Sequence, residues 1–357
     1  MTFGFIVIKY IWCYTLIVFI IFIFLGADMI LVTGARGHIG NVLLYELSKI
    51  YPKEKLRIFV RSPKGIDHIK DLVAEVVIGD IKNYQDVEKA VQGCQYVFHT
   101  AAIISLCKKV TPELYQTNVL GTRNIIDACI KNGVKRLIYT NSVEALKTPK
   151  TGKIIEELET NIDNVKGAYA KTKVMASQEI DQGRQKGLDI ISVFPSAVIG
   201  PRDYRGSYSR KIISYYQSKF CLKFYFKGSY NFVDVQDVAV AMISAMISPY
   251  KNQDYILANQ KKDIKEIAKL IGSFSNAKSV YIRLPLFLIY TFAFLANGLF
   301  KLVGKSCAFN PYSISILQRN CDFDITKATQ ELGYQPRELI QTIQETVDWL
   351  NDYKKRT

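Results

Sequence analysis

A chain of 357 residues, 49% hydrophobic and 22% charged, has a globular composition and more length than one compact core fills, so a large domain with a smaller companion is expected. Its 47 Lys and Arg against 32 Asp and Glu leave a formal charge of +15, but no run of five like charges occurs and aromatics are not interleaved with basic residues, which argues against nucleic acid as a partner. Seven scattered cysteines without a C-x-x-C pair suit reduced thiols in a cytoplasmic catalytic domain, and the spacing of three histidines assembles no metal site.

The chain opens on an apolar segment, residues 1–28. Lys9 is the single charge within 3–26, and no small-residue cleavage site follows. The segment reads either as a membrane anchor over residues 3–26 or as sequence upstream of a true start at Met29. From Met29 onward, short β-branched runs alternate with helical stretches. Strands are predicted at 30–33, 56–60, 74–78, 96–100, 136–140 and 189–194, and helices at 40–50, 84–91, 112–131 and 168–185. This alternation predicts a parallel sheet with helices on both faces.

The first strand runs into Val32-Thr-Gly-Ala-Arg-Gly-His-Ile-Gly40, glycines on a strand-to-helix turn. Gly34 suits the tight turn, Gly37 lets backbone approach a pyrophosphate, and Gly40 lets the helix pack close to the strand. The N–H groups of the helix start, including His38 and Ile39, face the phosphates. A Rossmann-type, doubly wound α/β domain is therefore expected over 29–195. At the end of the second strand, where NAD binders carry an acid, the chain reads Val60-Arg61-Ser62. With Arg36 in the glycine loop, two guanidiniums suit an extra phosphate on the adenosine ribose, which favours NADP(H) and keeps NAD(H) as the alternative. Asp80, followed by Ile81, can accept from the adenine amino group. His99, in an apolar run, reads as a core histidine.

Tyr169 and Lys173 stand four apart on a predicted helix and share one face, so the ammonium is expected to lower the phenol's pKa. Ser142 lies 27 residues earlier, just past the fifth strand, at the edge where ligands of open α/β sheets bind. Beyond residue 196 the regularity breaks, and 196–357 is read as a mainly helical substrate region with some returns to the first domain. Tyr204, Tyr208, Tyr215, Tyr216, Phe220 and Phe224 are candidates to line an apolar pocket. The apolar run 284–303 is expected to be buried in that region, with membrane contact as the alternative. Residues 328–350 show two helical patterns around Gly333-Tyr-Gln-Pro336.

Together these stretches resemble the extended short-chain dehydrogenase/reductase family, the NAD-dependent epimerase/dehydratase superfamily. The resemblance rests on T-G-A-R-G-H-I-G, Gly79-Asp80, His99-Thr-Ala-Ala102, Asn118-Val-Leu-Gly-Thr122, Tyr139-Thr-Asn-Ser142, Tyr169 with Lys173, Phe194-Pro195 through Pro201, and Phe232-Val-Asp-Val-Gln-Asp237. Within the family the chain is most similar to the dihydroflavonol 4-reductase and 3β-hydroxysteroid dehydrogenase branch. The resemblance implies that Ser142 binds the substrate oxygen, Tyr169 transfers the proton, and Lys173 holds the ribose and tunes Tyr169. It further implies cofactor contacts at Thr100, Ala101, Ala102, Asn118, Pro195 and Val198, and a homodimer. The chain departs from the pattern at Asn141, Val143 and Arg36. Glu144 matches the glutamate of sugar dehydratases, but the adjacent acid is missing.

The reading that follows is an NADP(H)-dependent oxidoreductase acting on an apolar, steroid- or flavonoid-like ketone or alcohol, with Glu144, Tyr204 and Tyr208 as further substrate contacts. A nucleotide-sugar epimerase or dehydratase with tightly bound NAD, using Arg202, Arg205, Arg210 or Lys211 on a sugar diphosphate, is the alternative. A non-catalytic cofactor-sensing protein is a third.

Overall fold

The structure, a computed structural model, describes residues 28–156, 161–274, 279–302 and 309–356. The apolar segment up to residue 27 lies outside the described residues, and with it the choice between anchor and upstream sequence.

The strands are β1 (Met29–Thr33), β2 (Leu56–Val60), β3 (Glu75–Ile78), β4 (Cys94–His99), β5 (Arg136–Thr140), β6 (Ile190–Pro195), β7 (Ala197–Ile199), β8 (Leu222–Tyr225), β9 (Ser229–Asp234), β10 (Asp254–Leu257), β11 (Lys261–Asp263) and β12 (Val280–Arg283). Seven of them form one sheet in the order β10-β6-β5-β4-β1-β2-β3, every pair parallel. The order reverses beside β1, and such a switch point opens a crevice at the strands' carboxyl ends.

Alternate residues of each strand feed two cores. Ile30 and Val32 pack under the helices His38–Ser48 and Val235–Ile247, while Leu31 joins Val97, Leu137 and the helices Gly121–Lys131 and Ala168–Gln185 on the other face. Both faces are covered, so the strands read as continuous apolar runs.

Six of the sheet strands lie where the sequence places them, within two residues at each end. The seventh, β10, is only four residues long and gives no clear signal along the chain; nor does Val235–Ile247, whose apolar residues run all round and show no single face. The stretch 112–131, expected as one helix, is three pieces: Pro112–Tyr115, a π-helical turn Gln116–Leu120, and Gly121–Lys131. The substrate region adds two small sheets, β11-β9-β7 and β12-β8, to its helices. At the end of the chain, the helices Thr326–Leu332 and Leu339–Arg356 flank left-handed Gly333.

The expected burial of 284–303 is not what the structure shows. Helix Leu286–Leu302 buries Ile289 and Ala293 against Ile314, while Phe287, Phe294 and Leu299 are 67%, 70% and 66% exposed. A helix that is apolar on every side gives no periodic signal of which face meets the core, and the core it meets is small. Among the described residues no helix is long and apolar enough to cross a membrane.

Candidate active site

Three backbones meet at the glycine turn. Gly34 is left-handed, with φ +71°, and a Cβ there would sit 2.6 Å from the Ala101 nitrogen. A Cβ on Gly40 would lie 2.5 Å from the Gly34 carbonyl oxygen and 2.6 Å from Thr100 Oγ1. Thr100 Oγ1 in turn donates to the Thr33 carbonyl at 2.7 Å. Helix His38–Ser48 thus starts directly over the end of β1, its first N–H groups free to face an anion. This bare backbone fits the pyrophosphate of a dinucleotide.

Beside the turn is a cavity of about 120 Å³, lined by Gly34, Arg36, Gly37, Arg61, Asp80, Ile81, Thr100, Ala101 and Ala102, among others. All of these are expected from the sequence. Arg205, from the loop after β7, also lines it; the sequence pattern offers that residue to a sugar diphosphate, and nothing local in its sequence points to the adenosine end. Asp80 accepts from its own loop, the Lys82 N–H at 3.0 Å, and pairs with Lys82 Nζ at 3.4 Å.

The cavity is continued by a cleft of about 540 Å³ whose walls include His38, Ile39, Gly40, Ser142, Glu144, Tyr169, Lys173, Pro195, Val198 and Tyr208. Ser142 follows β5, and its Oγ accepts from the Glu144 N–H at 3.2 Å. Asn141, one departure from the family pattern, holds the site together: its Nδ2 donates to Ser177 Oγ at 2.8 Å and its Oδ1 accepts from the Ser142 N–H at 3.0 Å. That ties the end of β5 to the helix carrying Tyr169. The helix begins after Gly167, whose φ of +95° no ordinary side chain tolerates and whose missing Cβ makes room for the Tyr312 ring.

Burial raises the Tyr169 pKa above the ordinary tyrosine value, its hydrogen bond with Ser142 offsets part of that rise, and the Glu144 charge adds to it. The expectation that Lys173 lowers this pKa is corrected. Lys173 Nζ donates to the Thr140 carbonyl at 2.6 Å and to the Tyr139 hydroxyl at 3.0 Å, and lies 4.5 Å over the Tyr139 ring. Helical spacing puts the two residues on one face, but a long side chain goes where partners await it, and here those are at the end of β5. Burial brings the Lys173 pKa down to about 7.

Other expected contacts are also redistributed. Asn118 is buried and lines neither cavity; it clamps the backbone of Ile103, accepting from its N–H at 2.8 Å and donating to its carbonyl at 2.9 Å, and it donates to Thr172 Oγ1 at 3.1 Å. The π-helical turn is centred on this residue, a common use of such turns. Its role is to position the loop after Ala102 against the Tyr169 helix, not to touch the cofactor cavity.

Tyr204 packs edge-on against Trp349 and Tyr353 and at a tilt against His68, away from the cleft. Tyr216 is in a core, Phe220 is exposed, and Tyr215 and Phe224 bond to each other, so Tyr208 alone of the six aromatic candidates lines the cleft. Glu144 does line it, with Oε1 accepting from the Tyr230 hydroxyl at 2.7 Å and Oε2 facing Arg319 at 3.4 Å. His99 is a satisfied core residue. Thr33 and Thr122 bond its two nitrogens at 2.8 and 3.2 Å, and burial takes its pKa down to about 3. Among the described residues no group of three His, Cys, Asp or Glu is placed to hold a metal ion.

Known proteins carry the same framework. The sequence model of the 3-beta hydroxysteroid dehydrogenase/isomerase family matches residues 31–261. A Synechocystis sp. protein named for dihydroflavonol 4-reductase is 30% identical over 92% of this chain and 96% of its own. Sterol demethylase protein B of Methylococcus capsulatus is 26% identical over 90% and 98%. Among solved structures, gox2253 matches with a TM-score of 0.75 at 26% identity, over 91% of this chain and 98% of its own. The UDP-glucose 4-epimerase of Thermotoga maritima shares the fold, with a TM-score of 0.74 at 19% identity over 91% and 99%. The chain belongs to the 3-beta hydroxysteroid dehydrogenase/isomerase family of extended short-chain dehydrogenases/reductases, and is an NAD(P)-dependent enzyme.

Proposed function

We propose that the protein is an NADP(H)-dependent oxidoreductase that interconverts a ketone and a secondary alcohol on an apolar, steroid- or flavonoid-like molecule. The observation that carries this reading is the wall of the cleft: Ser142 and Tyr169 stand among Ile104, Leu106, Val198, Tyr208 and Ile316. An apolar cavity with a few placed polar groups selects an apolar ligand and orients its one reactive oxygen. Relatives named for sterols and for a dihydroflavonol point the same way.

When bound, the nicotinamide supplies or takes up the hydride. Gly34, Gly37, His38, Ile39 and Gly40 would hold the pyrophosphate, and Lys173, Pro195 and Val198 the nicotinamide end. Ser142 and Tyr169 place two hydroxyls where charge builds on the substrate oxygen, and Tyr169 gives or takes the proton there. Burial holds the phenol's pKa above the ordinary tyrosine value, so Tyr169 carries its proton at neutral pH. The preference for NADP(H) rests on Arg36, Arg61 and Arg205 lining the adenosine cavity with Asp80 as its sole carboxylate, the reverse of what a free ribose diol asks for.

The epimerase or dehydratase reading keeps two favouring observations, the Glu144 carboxylate and the Lys211 side chain on the cleft wall. Against it, the arginines suited to a sugar diphosphate are engaged elsewhere: Arg202 stacks 3.8 Å over Tyr45, Arg205 lines the adenosine cavity, and Arg210 donates to the Asp203 carbonyl at 2.6 Å. The test is a cofactor-binding comparison followed by a panel of carbonyl compounds and sugar nucleotides. Consumption of NADPH with an apolar ketone supports the proposal. Copurified NAD with turnover of sugar nucleotides overturns it, and tight cofactor binding with no turnover on either panel favours a sensor.

A further inference from the structure

Ser142 and Tyr169 account for the proton that reaches the substrate oxygen, but not for the proton that replaces it. Each carbonyl reduction draws one proton from water, and Tyr169 can give only the one it holds. Lys173, its neighbour on the helix, is held at the end of β5, where its Nζ already donates to the Thr140 carbonyl and the Tyr139 hydroxyl. Once ligands fill the cleft, a path to solvent has to leave through its wall.

The wall has such a place. An outer cavity of about 310 Å³ lies behind it, lined by Leu146, Thr148, Lys150, Lys166 and Arg319 among others. Lys150, Lys166 and Gln318 on its rim are exposed, so it opens to solvent. Among the described residues, Glu144 alone lines both this cavity and the cleft. Its two carboxylate oxygens are divided in the same way. Oε1 accepts from the hydroxyl of Tyr230, a residue of the cleft, at 2.7 Å, and Oε2 faces Nη1 of Arg319, a residue of the outer cavity, at 3.4 Å. The short 3-10 turn Val143–Ala145 fixes this placement, because Ser142 caps it through the Glu144 N–H. The Ser142 hydroxyl is also bonded to Tyr169, so one turn positions the carboxylate relative to the proton donor. Burial, with the Glu144 charge added to it, raises the pKa of three phenols of the cleft wall, Tyr169, Tyr230 and Tyr312, so the field of the carboxylate reaches the donor itself.

We propose that Glu144 is the proton relay of this site, carrying protons between solvent in the outer cavity and Tyr169 through water in the cleft. The relay rests on the oxidoreductase reading, since an epimerase returns its proton to the donor and draws none from solvent. In the reducing direction, as hydride reaches the carbonyl carbon, the Tyr169 O–H bond breaks and its proton goes to the substrate oxygen. The phenolate then takes the proton of the Glu144 carboxyl group, and water in the outer cavity protonates the carboxylate again. Oxidation of the alcohol runs the same steps in reverse.

Because Tyr169 begins protonated, the first turnover needs no relay and every later one does. With NADPH and an apolar ketone, Glu144→Gln should keep the single-turnover rate within about twofold of wild type and lower the steady-state rate by roughly 10², so that a burst stoichiometric with enzyme precedes a slow phase. Formate added to Glu144→Ala, small enough for the vacated space, should restore the slow phase. Thr148→Phe fills the outer cavity from a position that does not line the cleft, and should reproduce the burst. NADPH affinity, measured on each variant, reports that it is folded. A steady-state rate left unchanged by Glu144→Gln overturns the relay. So does an equal loss in first and later turnovers that formate does not restore, which would mean that Glu144 only shapes the cleft. Either result leaves the oxidoreductase reading standing, whereas a wild type that oxidises no NADPH with any ketone removes that reading and the relay with it.

Discussion

Lys173 Nζ donates to the carbonyl oxygen of Thr140 at 2.6 Å, so the amine on the tyrosine's helix is tied to the end of the strand that leads into Ser142. Burial keeps its pKa near 7, far below that of a free lysine. The unfolded chain therefore binds one more proton than the native state between about pH 7 and pH 10.4. Stability drawn from the neutral amine is present at high pH, declines as pH falls through that window, and levels off below about 7. Lys173→Met removes the titration. Going from pH 9 to pH 7, the wild type should lose about 2 kcal/mol relative to this variant in denaturant titrations, with no further change below about pH 6.5. A constant difference across the range would show that the lysine is not held neutral by the fold.

Tyr169→Phe deletes the proton donor and leaves the ring in place. Cofactor affinity should stay within about twofold, while kcat falls by roughly 10³ or more, in line with the loss of a positioned acid. Ser142→Ala should cost about 10² in kcat, as removal of one donor to a developing oxyanion does. Single-turnover rates with saturating cofactor separate both effects from binding.

The three arginines at the adenosine cavity predict a phosphate-specific loss. Arg205→Ala and Arg36→Ala should each weaken 2′,5′-ADP by roughly tenfold, the scale of one charge-assisted hydrogen bond, and leave 5′-ADP nearly unchanged. Calorimetric titration reads both ligands. Equal weakening of the two would place these side chains at the pyrophosphate instead.

Gly40→Ala forces a Cβ to within 2.5 Å of the Gly34 carbonyl oxygen. Backbone cannot yield as a flexible side chain can, so the variant should be destabilised by about 2 kcal/mol and should lose cofactor affinity together with it. Gly133→Ala is the comparison: its added Cβ meets nothing within 4 Å, and its cost should come from the left-handed φ of +64° alone, with affinity retained. Thermal melts with and without NADP(H) distinguish the two.

What the chain determines by itself is local. Strand and helix periods, the glycine turn, and the Tyr169, Lys173 and Ser142 spacing are set by side-chain alternation and by the conformations glycine alone tolerates, so they are legible along the sequence. The two-faced core follows from the same alternation at Ile30, Leu31 and Val32. Tertiary structure decides which partner each long or apolar side chain meets. Lys173 reaches Thr140 and Tyr139 because β5 ends beside its helix, and Asn118 becomes a clamp because a π-helical turn faces it toward Ile103. Arg205 arrives at the adenosine cavity from a loop about 170 residues after the glycines. The same holds for helix Leu286–Leu302, whose uniformly apolar sequence is equally compatible with a core or a surface. Only packing against Ile314 on one side leaves the phenylalanines of the other side facing out.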